Sequence, residues 1–213
     1  MTTAGPMFHV EPAFTQAGLH PTPEFLAGAT AHLQQVYRWN KVHDLTAVPP
    51  KDAAVRHTVD SVLPFIPLTP APTVLDVGSG AGFPGIPLAL WWPGSVVTLC
   101  EPLRKRRSFL ETVVASLNLS SQLTGTPLEQ LTGEWDLVTS RATLPWPKLL
   151  EASLPRLKPG GLLVALLGPD QAPSQEQLPD LPGGSGWEKA ELHHYSLPSG
   201  APRTVLRAKK CST

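Results

Sequence analysis

From residue 73 onward, short apolar runs alternate with longer segments of helical character. Four of the runs are predicted to be buried β-strands, at residues 73–77, 96–100, 135–139 and 162–167. Helices are predicted between them, at residues 84–92, 103–117 and 146–157. Parallel strands need long crossover connections, which are usually helices. The alternation therefore predicts an α/β fold in which helices cover both faces of a mostly parallel sheet.

The first part of the chain follows a different pattern. Thr22 and Pro23 form a helix start, and apolar residues then recur at helical spacing as far as Tyr37. A second helical pattern covers residues 53–63 and is expected to stop at Pro64, because proline disfavours helix in the residue before it. We therefore predict a helical extension over residues 1–70, followed by one compact unit over residues 71–213.

The end of the chain is predicted to close the sheet. Residues 168–186 are rich in proline, glycine and glutamine, which is typical of a mobile loop and not of a second domain. Two strand-like patterns follow, at residues 187–195 and 204–207, and they are predicted to pair with each other.

Charge and cysteine usage limit what the chain can bind. Lys and Arg number 17, as do Asp and Glu, so any contact with RNA must come from a local patch and not from an overall basic field. Cys100 and Cys211 are too few for a disulfide framework and lack metal-ligand spacing, so we expect no metal. No apolar run has the length of a signal peptide or a membrane span. We expect a cytoplasmic monomer.

A glycine-rich turn follows the first predicted strand. The segment from Val74 to Phe83 is typical of a buried strand that enters a turn at its carboxyl end, where open α/β sheets bind ligands. Glycine lets such a turn bend sharply and approach a ligand closely, although a tight turn without a ligand has the same composition. The glycines at 80, 82 and 85 match the pattern of a dinucleotide site, and Glu101 lies where an acid binds ribose hydroxyls.

The same turn also fits S-adenosylmethionine, and two prolines favour that ligand. A dinucleotide places its pyrophosphate on free backbone N–H groups at a helix start. Pro84 and Pro87 remove two of those donors, and S-adenosylmethionine has no phosphate that needs them. Glu101 serves the ribose of either ligand. The predicted cofactor is S-adenosylmethionine, and a nicotinamide dinucleotide is the alternative.

Four consecutive cations open the helix predicted at 103–117, namely Arg104, Lys105, Arg106 and Arg107. The helix dipole disfavours cations at that end, and such violations of local preference are expected at functional sites. The run suits an RNA phosphate backbone. It also suits an ordinary solvated helix turn, because consecutive helical residues point about 100° apart. Four more cations lie near the C-terminus, namely Arg203, Arg207, Lys209 and Lys210. They either extend the patch that contacts RNA or form an ordinary solvated tail.

Four motifs occur in the order found in one known family. They are WNKVHDLTAV at 39–48, RHTVDS at 56–61, LDVGSGAGFPGIPL at 75–88 and SRA at 140–142. Together they resemble the bacterial small-subunit (16S) rRNA guanine-N7 methyltransferase G family, also called glucose-inhibited division protein B. The resemblance implies a Rossmann-like class I methyltransferase fold. It also implies transfer of a methyl group from S-adenosylmethionine to N7 of a guanosine in 16S rRNA, near the decoding site.

The resemblance further implies that nine residues contact the cofactor. They are Gly78, Gly80, Phe83, Glu101, Pro102, Leu103, Leu128, Glu129 and Arg141. The glycine turn would hold the methionine and adenosine parts, the residues after the second strand would flank the ribose, and the pair at 128–129 would close the adenine side. Position alone suits Arg141 equally well to a structural ion pair.

The chain departs from the family's pattern at three places. The family usually has asparagine where Asp44 stands. It has an arginine near Thr126 and Pro127, and a lysine where Leu167 stands. The cations at 104–107 are expected to compensate for the two that are lost near the RNA.

No side chain is assigned as a general base. N7 of guanine carries an exposed lone pair and no proton, so its methylation needs alignment more than proton removal. An acceptor near the N–H edge of the base would favour the positive charge that develops on the purine, and Asp44 and Glu129 are candidates. Asp44 has the alternative role of capping the turn after the first helix. His57 and Asp60, one helical turn apart, are expected to form a capping or ion-pair contact.

Two other function classes stay open at this point. One is an NAD(P)-dependent oxidoreductase on the same Rossmann-like fold, and the other is a non-catalytic RNA-binding module that has kept the pocket. The leading prediction is a methyltransferase with S-adenosylmethionine as cofactor. Its predicted partner is 16S rRNA or the small ribosomal subunit.

Overall fold

The computed structural model describes residues 8–141, 143–168, 172, 178 and 186–212. The loop predicted over residues 168–186 lies, except for four residues, outside this described part of the chain. Ala142, the last residue of the fourth motif, also lies outside it.

A seven-stranded sheet forms the centre of the described structure. Its strands are β1 (Thr73–Val77), β2 (Val96–Cys100), β3 (Gln122–Thr124), β4 (Trp135–Arg141), β5 (Leu157–Leu167), β6 (Trp187–Ser196) and β7 (Pro202–Lys210). They lie in the order β3-β2-β1-β4-β5-β7-β6. The first five are parallel, and β7 is antiparallel to both β5 and β6. The predicted parallel sheet and the predicted closing pair of strands are confirmed.

Two strands differ from their prediction. The sequence does not predict β3, because this three-residue strand contains a single apolar residue, Leu123. β5 begins at Leu157 and not at residue 162. The added segment contains Pro159 and two glycines, a composition typical of a turn, and a register shift against β4 accommodates it.

Six α-helices lie in the described part of the chain. They are α1 (Val10–Gln16), α2 (Pro23–Trp39), α3 (Asp60–Val62), α4 (Gly85–Trp91), α5 (Arg104–Ser116) and α6 (Trp146–Ser153). The hydroxyl of Thr22 accepts a hydrogen bond from the amide of Phe25 (3.2 Å), so α2 starts where the sequence predicts. None of these helices combines the length and the apolar character that crossing a membrane requires.

The second predicted helix is irregular. A π turn (Ala54–Val59) leads into α3, and a 3₁₀ turn (Leu63–Phe65) follows it. The α-helix ends at Val62, before Pro64, as predicted, and this proline occupies an early position of the 3₁₀ turn, where no N–H donor is needed. The sequence does not predict α1, because its seven residues contain Pro12 and show little periodicity.

The N-terminal helices share a hydrophobic core with one face of the sheet. Phe14, Phe25 and Leu33 are buried in the same cluster as Ile86 of α4 and Phe109 of α5. The opposite face has its own cluster, which includes Leu75, Val138, Leu150 and Leu163. The N-terminal helices thus cover one face of the sheet that carries the glycine turn.

A buried carboxylate ties the helical segment to the closing strands. Asp60 accepts a hydrogen bond from the hydroxyl of Tyr195 on β6 (2.7 Å) and forms an ion pair with Arg203 Nε on β7 (3.0 Å). Asp60 therefore takes its partners from the end of the chain, and the contact expected with His57 is not the one that it makes.

Candidate active site

The turn after β1 requires glycine at two positions at least. Gly78 has φ +69° and Gly82 has φ +89°, in the left-handed region that side chains rarely adopt. A Cβ atom on Gly78 would collide with the side chain of Thr143, and one on Gly82 would meet Ile86 and His32. Sterics therefore explain the glycine spacing even before any ligand is considered.

Glu101 holds this turn against the end of β2. The residue is buried, with 3% exposure. Its Oε2 accepts a hydrogen bond from the amide of Gly80 (2.8 Å), and its Oε1 accepts one from the amide of Leu103 (2.9 Å). A carboxylate has more acceptor sites than these two bonds occupy, so it can still bind ribose hydroxyls. The sequence predicts that Glu101 binds ribose but not that it also accepts hydrogen bonds from the backbone of the turn.

A cavity of about 440 Å³ opens beside the turn, a size within the usual range for small-molecule sites. We call it the glycine-turn cavity. Seven of the nine residues implied as cofactor contacts line it: Gly78, Gly80, Phe83, Glu101, Pro102, Leu103 and Arg141. Six further residues complete the lining: Leu45, His57, Ser79, Ala81, Arg106 and Thr143.

Leu128 and Glu129 do not line the glycine-turn cavity. They lie in a 3₁₀ turn (Leu128–Gln130) after β3. Leu128 is buried in the core on the far face of the sheet, where an apolar side chain is most stable, and Glu129 is exposed. The contact that the family resemblance implies between this pair and the adenine side of the cofactor therefore stays a prediction.

Aromatic and cationic groups surround Phe83. The His57 ring stacks on the Phe83 ring at 4.4 Å and 9°, and the His32 ring lies 4.6 Å from it. The guanidinium carbon of Arg141 is 5.0 Å from the centre of the same ring, a cation–π distance. His57 belongs to the RHTVDS motif, so the family resemblance draws attention to it. The spacing of residues along the chain does not predict that His57 lies beside Phe83.

The two histidines of this cluster are held in the neutral form. Burial, with a smaller contribution from Arg141, lowers the pKa of His57 to about 3. Burial also lowers the pKa of His32 to about 4, and its Nε2 lies 2.8 Å from the carbonyl oxygen of Ala81, to which it donates in the neutral form. His57 Nε2 is 2.8 Å from the hydroxyl of Thr46. Within the described residues, no group of His, Cys, Asp or Glu is arranged to hold a metal ion.

The start of α4 offers no free donors to a phosphate. The amide of Gly85 donates to the carboxyl group of Asp76 (3.1 Å), and that of Ile86 donates to the carbonyl of Gly82 (2.8 Å). Pro87 has no N–H, and the next amide already donates within the turn (3.0 Å). The first turn of α4 therefore has no free backbone N–H group that could bind the pyrophosphate of a dinucleotide.

The basic run divides between two roles. Arg107 turns back and donates to the carbonyl oxygens of Glu101 (3.1 Å) and Pro102 (3.2 Å). The other three cations line a second opening of about 360 Å³, together with Val42, His43, Asp44, Leu45 and Leu103. We call this opening the basic groove. It adjoins the glycine-turn cavity, because Leu45, Leu103 and Arg106 line both.

The C-terminal cations have partners within the fold. Arg203 pairs with Asp60, and Lys209 pairs with Glu188 (2.8 Å). Arg207 donates to the carbonyl oxygen of Pro64, and Lys210 to that of Leu157. These contacts support the closing strands, so the basic groove depends on the run at 104–106 and not on the tail.

The chain matches one known protein family over most of its length. The profile of the family described as rRNA small subunit methyltransferase G matches residues 26–198. A ribosomal RNA small subunit methyltransferase G from Polynucleobacter asymbioticus is 39% identical over 71% of this chain and 73% of that protein. One of the same name from Solibacter usitatus is 37% identical over 86% of this chain and 90% of that protein.

Solved structures show the same fold at low identity. An O-methyltransferase from Bacillus cereus, in complex with S-adenosylhomocysteine, has a TM-score of 0.60 and 18% identity over 84% of this chain and 91% of that one. A didemethyltoxoflavin N1-methyltransferase from Burkholderia thailandensis has a TM-score of 0.59 and 18% identity over 85% and 88%. The predicted Rossmann-like methyltransferase fold and the resemblance drawn from the motifs are confirmed. The chain belongs to the rRNA small subunit methyltransferase G family.

Proposed function

We propose that this chain is an S-adenosylmethionine-dependent methyltransferase that methylates N7 of a guanosine in 16S rRNA, near the decoding site. The observation that carries the proposal is the shared border of the glycine-turn cavity and the basic groove, at Leu45, Leu103 and Arg106. A methyl donor and an RNA base must meet at one point, and this border provides it. The name printed for the relatives, ribosomal RNA small subunit methyltransferase G, supports the same substrate.

The glycine-turn cavity fits the cofactor. A Cβ atom on Gly80 would find open space, with the carbonyl oxygen of Gly78 as its nearest neighbour at 3.7 Å, so a ligand has room against the backbone. The Glu101 carboxylate supplies acceptors for ribose hydroxyls, and Pro102 and Leu103 supply apolar surface for adenine. When bound, the cofactor supplies an electrophilic methyl group on a sulfonium.

The remaining cofactor contacts are assigned by position. Phe83 and Arg141 line the same cavity as the ribose acid, and the family resemblance implies that they contact the cofactor. Residues 1–70 and 71–213 then work as one catalytic unit, because Leu45 and His57 from the first segment line a cavity built mainly by the second. Leu128 and Glu129 do not line the cavity, so the adenine contact proposed for them rests on the family resemblance alone.

The proposal is tested on ribosomal particles. Small subunits from cells that lack the protein are incubated with purified protein and S-adenosylmethionine, and 7-methylguanosine is mapped in 16S rRNA by reduction and strand cleavage. The expected result is one new cleavage that requires both additions. Calorimetry should show S-adenosylhomocysteine binding far more tightly than NAD or NADP. The opposite ranking would support an oxidoreductase, and cofactor binding without methylation would support a non-catalytic module.

The chemical step is expected to be nearly independent of pH between about 6 and 8.5. The pKa of His57, about 3, lies well below that range, and N7 carries no proton to remove. The rate is measured in a single turnover at saturating RNA and cofactor. A tenfold rise per pH unit that disappears in a folded variant at His43 or His57 would mean that a general base operates.

One buried acid calls for a control in that experiment. Burial raises the pKa of Asp76 to about 7, and its Oδ1 is buried with no hydrogen-bond partner in the described structure. Asp76 lies behind the glycine turn and does not line the cavity. An inflection near pH 7 that disappears in Asp76→Asn, together with a matching change in cofactor affinity, would therefore originate in the turn and not in the chemistry.

Neutralising the three groove cations is expected to weaken RNA binding and to flatten its dependence on salt. Removal of one cation–phosphate interaction lowers the slope of log affinity against log salt by roughly 0.7–0.9. The variant Arg104→Gln/Lys105→Gln/Arg106→Gln is compared with wild type by filter binding at several salt concentrations. Circular dichroism serves as the check that the fold is intact.

Arg107→Gln is the matched control for that variant. It removes one charge from the same helix, where the triple variant removes three, and it does so at a side chain that donates to backbone carbonyls and does not line the basic groove. Its salt slope should equal that of wild type. A decrease of the slope in Arg107→Gln that is about one third of the decrease in the triple variant would mean that the whole run acts through diffuse charge and that the groove has no special role.

A further inference from the structure

The basic groove contains one acidic side chain among its cations. Asp44 lines it together with Arg104, Lys105 and Arg106. The apolar part of the lining includes Val42, which is 80% exposed, and Leu103, which is 57% exposed. Three large hydrophobic side chains in the described residues are exposed, and the two most exposed of them lie here. The groove thus combines apolar surface, which suits the face of a base, with charges of both signs.

Asp44 has no structural task in the described protein. The turn after α2 is closed by Asn40, whose Oδ1 accepts hydrogen bonds from the amides of Leu45 (2.8 Å) and Thr46 (2.9 Å). Asn40 Nδ2 also donates to the carbonyl of Thr46 (2.9 Å). The alternative that Asp44 caps this turn is therefore wrong. No hydrogen bond or ion pair joins the Asp44 side chain to the described residues.

A free carboxylate is unfavourable beside a phosphate backbone, because the two charges repel each other. It is favourable beside a base that presents adjacent N–H donors. Guanine presents N1–H and an N2 amino group side by side, which matches the two oxygens of a carboxylate. Adenine presents the N1 lone pair at the same place, which a carboxylate repels. A single acid among the cations of an RNA groove therefore favours guanine over adenine.

We propose that Asp44 accepts hydrogen bonds from N1–H and N2–H of the target guanine, and so selects guanine and assists its methylation. This inference rests on the proposed function. In the reaction the N7 lone pair forms the new N–C bond, and the electron pair of the breaking C–S bond stays on sulfur. The positive charge moves to the purine, which makes its N–H groups stronger donors. The bonds to Asp44 therefore strengthen in the transition state.

The experiment uses inosine, which keeps N7 and N1–H but lacks the N2 amino group. Wild type and Asp44→Ala methylate one synthetic 16S rRNA fragment that carries guanosine or inosine at the target position. Wild type should prefer guanosine by about tenfold or more in kcat/KM, and Asp44→Ala should be slow on both with no preference. Asp44→Asn, with one acceptor, should be intermediate. Glu111→Gln, an exposed acid on α5, should match wild type.

A binding measurement separates this inference from the proposed function. GMP and IMP are titrated into the complex with S-adenosylhomocysteine, where no methyl transfer takes place. Wild type should bind GMP more tightly than IMP, and Asp44→Ala should lose this preference while its affinity for S-adenosylhomocysteine is unchanged. That result supports guanine recognition by Asp44 whether or not RNA is methylated. If it is obtained and no RNA is methylated, the proposed function fails and the inference stands. Equal treatment of guanosine and inosine by wild type, or a preference that persists in Asp44→Ala, would overturn the inference.

Discussion

Gly78→Val abolishes measurable binding of S-adenosylhomocysteine while leaving the sheet folded. Valine is strained at φ +69°, by about 1–3 kcal/mol, because its branched Cβ meets the neighbouring carbonyl. The new side chain would also collide with Thr143, which lines the same cavity. Either Thr143 moves into the cavity or the turn moves toward it, and both outcomes remove space that the ligand needs. Calorimetry measures the affinity, and circular dichroism checks the fold.

Gly18→Val is the matched control. Gly18 has φ +72°, but a Cβ atom there would meet nothing within 4 Å, so this variant carries the same backbone strain without the collision. It should lose stability and keep full cofactor affinity. Gly78→Ala is a milder second variant, in case valine prevents folding. Full affinity in folded Gly78→Ala and Gly78→Val would show that the turn is a structural feature only.

Glu101→Ala weakens cofactor affinity by about 1.5–3 kcal/mol, roughly tenfold to more than a hundredfold, the usual range for a hydrogen bond to a charged group. It also destabilises the protein, because the amides of Gly80 and Leu103 lose their acceptor. Glu101→Gln keeps one acceptor and should lie between alanine and wild type in both measurements. Affinity is measured by calorimetry and stability by urea denaturation.

Glu129→Ala provides the comparison for that variant. The family resemblance implies a cofactor contact for this residue, whereas the structure leaves it exposed and outside the cavity. Its affinity for S-adenosylhomocysteine should equal that of wild type. If Glu129→Ala weakens binding as much as Glu101→Ala does, Glu129 contacts the cofactor. If folded Glu101→Ala keeps the affinity of wild type, Glu101 does not bind the ribose.

The sequence predicts the parts of the molecule that repeat a local pattern. Apolar runs and glycine spacing locate β1, β2, β4 and the turn, and Glu101 follows from its place at a strand end. The 100° step between helical neighbours also anticipates that four consecutive cations cannot share one partner, as the separate position of Arg107 shows. These predictions need only local geometry.

Contacts between distant segments are not predicted in this way. Leu45 and His57 reach the cavity because the N-terminal helices pack across the sheet, and no periodicity encodes that distance. Asp44 lies unpaired among the described residues because Asn40 closes the turn instead, a choice that depends on side-chain geometry. The adenine contact implied at 128–129 rests on motif likeness, which carries over residue identity but not the burial of a particular turn.

The ion pair between Asp60 and Arg203 has a consequence for the biosynthesis of the protein. The two residues are 143 positions apart, and Tyr195 follows Asp60 by 135. During vectorial synthesis the sheet up to β5 emerges from the ribosome before either partner of Asp60. The carboxylate of Asp60 therefore gains its partners only after the last hairpin has been translated. A nascent chain that lacks the hairpin has its glycine turn, but its N-terminal helical segment is not yet tied to β6 and β7.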